Sequence, residues 1–251
     1  MERLTGLVRR CVEDYSMIDD GDEIAVGVSG GKDSLTLLCA LAKLRTYYPK
    51  KFNLRAMTLS MGYESMDFSG VAALCGELDV PYTLLPSKIG QLIFEERKES
   101  NPCALCAKMR RGALHAEMQR QGIRKIALAH HYDDAIETFL MNLLYNGRIG
   151  CFEPVTYMGR TGITQIRPLL YVGEGTIRNV AARYKLPVVK NACPMDHHSK
   201  REDTKKLIRE LSRQYPDLRT KIFGAMQRLP VEGWKPETIA RRPLPDRKDD
   251  E

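Results

Sequence analysis

No apolar stretch in these 251 residues approaches the roughly 18 that a membrane-crossing helix needs, so no helical membrane partner is expected. The opening residues Met1-Glu2-Arg3-Leu4 start no apolar segment of the kind that directs secretion, and the expected location is the cytoplasm. Internal repeats and low-complexity tracts are missing, which argues against solenoid and fibrous architectures. A second C-x-x-C pair is missing too, which excludes a four-cysteine zinc ribbon built from this chain alone. The seven cysteines are an odd number, and with a reducing compartment expected they argue against a full disulfide framework.

What is present is globular. The hydrophobic share of 43% and the charged share of 28% are ordinary values, and 28.5 kDa is enough for one well-buried domain. Lys and Arg number 39 against 32 Asp and Glu, a formal net charge of +7. That excess suits a polyanionic partner, although an ordinary basic protein shows it as well.

Strand-like runs alternate with helical patterns, which predicts an α/β fold with a doubly wound parallel sheet. Ile24-Ala25-Val26-Gly27-Val28 reads as a strand buried on both faces, followed by a helix over 34–47. Strands are predicted at 54–59, 82–85 and 125–129, and helices at 71–78, 106–121 and 133–145. Glycines and prolines between 147 and 168 mark a loop or hairpin, and helices are expected at 174–184 and 200–214. The expected divisions are an N-terminal helix at 1–20, the sheet domain at 21–190, a helical extension at 191–230 and a charged, mobile tail at 231–251.

Three motifs carry chemistry. Ser29-Gly30-Gly31-Lys32-Asp33-Ser34 lies between the first strand and the first helix, where open α/β sheets present ligands. Its glycines let backbone approach phosphate oxygens, the helix N-terminus attracts anions, and Lys32 adds positive charge. It differs from the kinase P-loop, which would need Gly and Ser or Thr where the chain has Val26 and Asp33. The bland alternative is a glycine turn that only starts a helix.

The second motif is Cys103-Ala104-Leu105-Cys106, followed by Lys108, Arg110 and Arg111, whose charge favours thiolates. Such a pair suits redox chemistry, half a zinc site or part of an iron–sulfur site. Cys193 is the candidate third ligand, and His197 or His198 would complete a Cys₃His zinc site. Cys193 as an idle thiol is the plain reading. Cys11, Cys39 and Cys75 sit in apolar helical patterns and read as core residues, while Cys151 is ambiguous.

The third motif, His130-His131-Tyr132-Asp133-Asp134, runs from a strand into a helix. Asp133 or Asp134 would serve as a helix cap, or would line the same crevice as the 29–34 loop. Arg110 is a candidate for steadying a phosphate, against a solvated basic face, and Lys108 and Arg111 are candidates for RNA phosphate contacts.

The 29–34 string resembles the signature of the PP-loop ATP pyrophosphatase superfamily, adenine nucleotide alpha hydrolase-like proteins that cleave ATP between its α- and β-phosphates. With the cysteine pair, the His-His-Tyr-Asp-Asp segment, Ile166-Arg167-Pro168-Leu169 and Cys193 in order, the chain resembles the tRNA 2-thiocytidine synthetase family over roughly residues 20 to 230. The resemblance implies that Ser29, Gly30, Gly31, Lys32, Asp33 and Ser34 hold pyrophosphate, with Mg²⁺ beside Asp33 and His130 touching the nucleotide. It implies catalytic roles for Lys32, Arg110, Asp133 and, second, Asp134. It also implies a 4Fe–4S cluster on Cys103, Cys106 and Cys193, with the open iron carrying sulfide. The implied partners are tRNA, modified at cytidine 32, a cysteine desulfurase as sulfur source, and a second copy in a homodimer.

One departure is that many members carry two cysteines near the third-ligand position, where this chain has Cys193 followed by Pro194-Met195-Asp196. The related thiouridine-forming branch carries further zinc-binding cysteine pairs that are missing here. Alternatives within the same fold are a persulfide enzyme using Cys106 or Cys193 without a cluster, and an amidating ligase resembling lysidine synthetase. A nucleotide-dependent RNA-binding regulator is the non-enzymatic alternative.

Overall fold

A computed structural model describes residues 1–63, 65–93, 102–190 and 200–228, with backbone alone for 103 and 104. Cys193, His197, His198 and the expected tail at 231–251 lie outside the described residues.

The sheet is built from β1 (Asp22–Gly27), β2 (Phe52–Leu59), β3 (Tyr82–Leu85), β4 (Lys125–Ala127), β5 (Val155–Met158) and β6 (Ile163–Ile166). Their spatial order is β3-β2-β1-β4-β6-β5, all parallel except the edge strand β5. Register is set in the centre, where Ile24 lies opposite Leu54 and Val26 opposite Ala127. Side chains alternate across β1. Ile24 and Val26 enter the larger core, and Ala25 enters a second core on the other face. Burial on both faces explains the near-continuous apolar reading of that strand.

Helices α1 (Glu2–Asp14), α2 (Lys32–Arg45) and α3 (Ser69–Glu77) precede a single turn, α4 (Ile89–Gln91). The long α5 (Pro102–Arg120), α6 (Tyr132–Asn146), α7 (Glu174–Arg183), α8 (Lys200–Gln214) and α9 (Leu218–Arg228) follow, with a 3₁₀ turn at Pro168–Tyr171 before α7. Leu4 and Val8 of α1, Leu37 and Leu41 of α2 and Ile177 of α7 fill the larger core. Each such side chain contributes about 1.5–3 kcal/mol on burial. Met118 of α5 packs under the opposite face with Met57, Ile126 and Ile163.

Two helices start earlier than their apolar patterns. Lys32 and Asp33 form the first turn of α2, since polar residues with free N–H groups suit a ligand-facing helix end. α5 opens at Pro102, whose missing N–H is harmless in a first turn. The punctuated stretch after Gly147 is a hairpin, β5–β6, inserted with β6 beside β4. Cys11, Cys39 and Cys75 are buried core residues. Among the described residues no helix is long and apolar enough to cross a membrane.

Candidate active site

The strand order reverses between β1 and β4, and the C-terminal ends of strands at such a switch point are where open α/β sheets hold their ligands. The 29–34 loop leaves β1 there. Ser29 N donates to Ser34 Oγ at 3.1 Å, Gly31 N donates to Ser29 Oγ at 3.3 Å, and Ser34 Oγ donates to Gly31 O at 2.9 Å. The loop is thus knitted by its own hydroxyls. Gly31 caps α2 without a side-chain acceptor, which leaves the positive end of the helix uncovered.

Lys32 Nζ donates to Asp33 Oδ2 at 3.2 Å and lies 3.2 Å from Glu174 Oε1, in the first turn of α7. Burial alone lowers the Lys32 ammonium, but these two carboxylates outweigh it and hold the pKa above its ordinary value. Asp33 Oδ1 is buried and accepts no hydrogen bond from the described residues. Its neighbours are Lys32 Nζ at 3.2 Å, in ion-pair contact only, and His131 Nε2 at 3.9 Å. An orphaned carboxylate oxygen beside a phosphate loop fits a hard cation such as Mg²⁺.

At the end of β4, His131 and Asp134 form a reciprocal capping box on α6. His131 N donates to Asp134 Oδ2 at 3.0 Å, and Asp134 N donates to His131 Nδ1 at 3.3 Å. The second Asp134 oxygen takes Arg201 Nη1 of α8 at 2.8 Å. Asp133 is buried, and both of its oxygens are engaged. Oδ2 accepts from Glu174 N at 2.7 Å, and Oδ1 takes Arg219 Nη1 of α9. The two aspartates therefore tie α6 to three later helices. Glu137, one turn on, is buried beside Arg201, and burial pushes its carboxyl up to about 7.

His130 turns the other way. It stacks on Phe152 at 4.8 Å and, with Arg110, Arg111 and Arg167, lines a cavity of about 400 Å³ between α5 and the sheet. Burial, then the Arg167 charge, lowers the His130 pKa to about 4, so the imidazole is neutral at pH 7. A larger cavity of about 490 Å³, lined by Tyr15, Phe152, Tyr171 and Phe223, contains none of the phosphate-loop residues.

The structure thus brings Ser29, Gly30, Gly31, Lys32, Asp33 and Ser34 together with Asp133 and Asp134, and gathers Arg110, Arg111 and His130 at a neighbouring cavity. Lys108 is exposed outside both groups. Cys106 is half-buried against Leu59, Ile89 and Ile93, and the Cys103 position lies one helical turn earlier on α5. Among the described residues no three His, Cys, Asp or Glu side chains form a metal-holding group. The sequence reading missed Glu174 and Arg219, and quoted His131 within the third motif without giving it a role of its own. Arg167 lay within a quoted motif, but nothing in the sequence assigned it a role.

A PP-loop domain family model matches residues 4–211. The tRNA-cytidine(32) 2-sulfurtransferase of Pelobacter propionicus is 37% identical over 227 residues, covering 89% of this chain and 84% of that protein. The protein of the same name from Geobacter metallireducens is 36% identical over 222 residues, covering 87% and 86%. In fold the chain is similar to the U34-tRNA thiolase NcsA from Methanococcus maripaludis, solved with its [4Fe-4S] cluster. The TM-score is 0.73 at 22% identity, over 90% of this chain and 77% of that one.

Proposed function

The chain belongs to the tRNA-cytidine(32) 2-sulfurtransferase family of PP-loop proteins, and from that membership we propose that it is a cytoplasmic ATP-dependent tRNA thiolation enzyme. The observation that carries the reading is the self-bonded 29–34 loop at the switch point, with Lys32 beside an uncapped helix end. The C2 oxygen of a tRNA cytidine attacks the α-phosphorus of ATP. A C2–O–P linkage forms, the α–β phosphoanhydride bond breaks, and pyrophosphate leaves. An incoming sulfide then bonds to C2, the C2–O bond breaks, and AMP carries the oxygen away.

Lys32 and the first-turn amides of α2 hold and neutralise the phosphates, which stabilises the charge that develops as pyrophosphate departs. Asp33 Oδ1 would hold Mg²⁺ against them. Asp133 acts as a positioning residue, fixing the α7 turn that places Glu174 on Lys32. Asp134 orients His131 toward Asp33. Arg110, one helical turn after Cys106, stands ready for phosphate, and Lys108 and Arg111 contact the RNA backbone.

Cys103, Cys106 and Cys193 would hold a 4Fe–4S cluster, which supplies an iron without a protein ligand where sulfide can bind. The donor set fits: two cysteines stand one turn apart on α5. The segment carrying the third leaves the described residues just past Val189, bonded to Gly30, and returns at α8, bonded to Asp134. A cysteine desulfurase as sulfur source and a homodimeric assembly complete the reading.

The test is anaerobic reconstitution with ATP, sulfide and tRNA, read by nucleoside mass spectrometry, beside iron and acid-labile sulfide content. Formation of 2-thiocytidine, with stoichiometric pyrophosphate release and about four irons per chain for a cluster-type site, is expected. Thiolation from sulfide without iron would remove the cluster from the reaction, and thiolation that needs a sulfane-sulfur donor in place of sulfide would put a persulfide on Cys106 or Cys193 instead. Pyrophosphate release without thiolation would point to an amidating ligase.

A further inference from the structure

Between α5 and the C-terminal ends of β4 and β6, the cavity of about 400 Å³ has features the phosphate loop does not account for. It falls in the range of roughly 300–1,000 Å³ typical of small-ligand sites. Leu114, Ile126 and Leu128 give it an apolar wall. Three polar side chains that line it are nine-tenths buried or more: His115, Gln165 and Arg167.

Gln165 is locked at both ends. Its Oε1 accepts from Arg167 Nη2 at 3.3 Å, and its Nε2 pairs with His115 Nε2 at 3.3 Å. Two polar atoms are left over. Arg167 Nε and His130 Nδ1 are buried and have no hydrogen-bond partner among the described residues. Buried groups of this kind are rare in folded proteins unless a ligand or water meets them.

Charge defines the ligand further. Arg110, Arg111 and Arg167 line the cavity, and among the described residues no carboxylate does. The two histidines stay neutral at pH 7, since burial, assisted by nearby arginines, lowers both. An anionic group toward the arginines and a neutral, flat, hydrogen-bonding group toward the imidazoles is the pattern of a nucleotide. Cytosine presents O2 and N3 as acceptors and its amino group as a donor, which suits the unmatched Arg167 Nε–H and the neutral His130 Nδ1, a donor or an acceptor according to tautomer.

Position selects which nucleotide. His130 lines the cavity while the next residue, His131, stands 3.9 Å from Asp33 of the phosphate loop. On α5 the lining positions 107, 110, 111 and 114 continue, at helical spacing, from position 103. The cavity thus lies beside both the phosphate loop and the turn of α5 that carries the first cysteine position.

We propose that this cavity receives the target pyrimidine nucleotide, unstacked from the RNA loop, with its phosphate on Arg110 and Arg111 and its base against His115, His130, Gln165 and Arg167. The proposal rests on the tRNA-thiolation reading above. Extrusion of a base from single-stranded RNA is the common way for proteins to reach it.

The test uses the full chain, without added iron, sulfide or ATP, and an anticodon stem-loop carrying fluorescent pyrrolocytidine at the target position. Wild type should raise the fluorescence as the base unstacks. Gln165→Leu, which breaks the amide lock, and Leu114→Trp, which fills the cavity, should each reduce that rise at least fivefold. Stem-loop affinity should fall no more than threefold, since backbone contacts remain, and ATP affinity should hold, with Tm as the check on folding.

A full rise in both folded variants would overturn the proposal. So would a tenfold loss of ATP affinity in a variant that melts at the wild-type Tm, which would place adenine in the cavity. The two readings fail separately: wild type that makes 2-thiocytidine but shows no rise sinks only the pocket. Wild type that shows the cavity-dependent rise but makes no 2-thiocytidine keeps the pocket and sinks the thiolation reading.

Discussion

Lys32 Nζ stands 3.2 Å from Glu174 Oε1, so the phosphate loop after β1 is bound to the first turn of α7. The ammonium that should meet phosphate is already neutralised by Asp33 and Glu174. ATP must displace at least one of them. Glu174→Gln should therefore tighten ATP about fivefold, equivalent to the ~1 kcal/mol upper range for partly exposed ion pairs, as read by calorimetric titration. Lys32→Ala should slow tRNA-dependent pyrophosphate release about 10²-fold. Weaker ATP binding in Glu174→Gln would instead make Glu174 a partner of the nucleotide or its metal.

Asp133 joins the same assembly from beneath, holding Glu174 N and Arg219 together. Asp133→Ala leaves a helix N–H and a guanidinium without their acceptor. The loss should be about 2–4 kcal/mol, a fall in Tm of roughly 5–15 °C. Asp133→Asn keeps an oxygen for Glu174 N and should melt closer to wild type. An Asn variant with a wild-type melt and abolished kcat would assign Asp133 to chemistry rather than positioning.

The phosphate loop was legible because its chemistry is local: two glycines, a lysine and two serines act within six residues. The central strands were legible because burial on both faces leaves a continuous apolar run. Glu174 and Arg219 were not, because each is an ordinary charged residue in a helix until the fold brings it to Lys32 or Asp133. Asp134 was read both as a cap and as a site residue, and its bond to His131 shows that the cap is real. The β5–β6 hairpin was only half legible. Turn residues announce a hairpin, but the insertion of β6 beside β4 depends on pairing with a strand far away in sequence.

Glu137 and His130 have opposite pH signatures. Burial raises the Glu137 carboxyl from 4.5 to about 7 against the pull of Lys205 and Arg201. The folded state then holds a proton that the unfolded chain releases above pH 4.5, so stability falls as pH rises from about 4.5 to 7. Burial lowers His130 from 6.5 to about 4, so its contribution rises over about 4 to 6.5. In wild type the two oppose each other. Glu137→Gln should leave the rising contribution alone and, at pH 8 relative to pH 4, gain on the order of 3 kcal/mol over wild type in urea unfolding. An identical pH profile would mean that Arg201 keeps Glu137 ionised.

The cysteines should divide into two classes. Burial pushes the Cys11 thiol to about 12 and those of Cys39, Cys75 and Cys151 to about 11, and Cys151 donates to Ala135 O at 3.4 Å. These four should alkylate slowly at pH 8 in the native protein. Cys151→Ala should keep full iron content after anaerobic reconstitution. Cys103→Ala, Cys106→Ala and Cys193→Ala should each lose most of it. Iron retained in Cys193→Ala would show that the third ligand is another group.

Neighbouring glycines in the loop should respond in opposite ways. Gly30 has φ +85°, and a Cβ there would lie 2.9 Å from Val189 Cβ and 3.2 Å from Phe68 Cε1. Gly30 O also accepts from Val189 N at 3.0 Å, so the clash falls on a bonded contact. Gly30→Ala should lose about 1–2 kcal/mol from the left-handed backbone alone, and more from displaced Val189. Gly31 has φ −76°, and a Cβ there meets only Ser29 Oγ at 3.5 Å. Gly31→Ala should therefore fold as wild type, judged by Tm. ATP titration on that folded variant then isolates the ligand's own need for space. If binding collapses, phosphate passes directly over the Gly31 Cα; if it persists, the second glycine serves only the entry into α2.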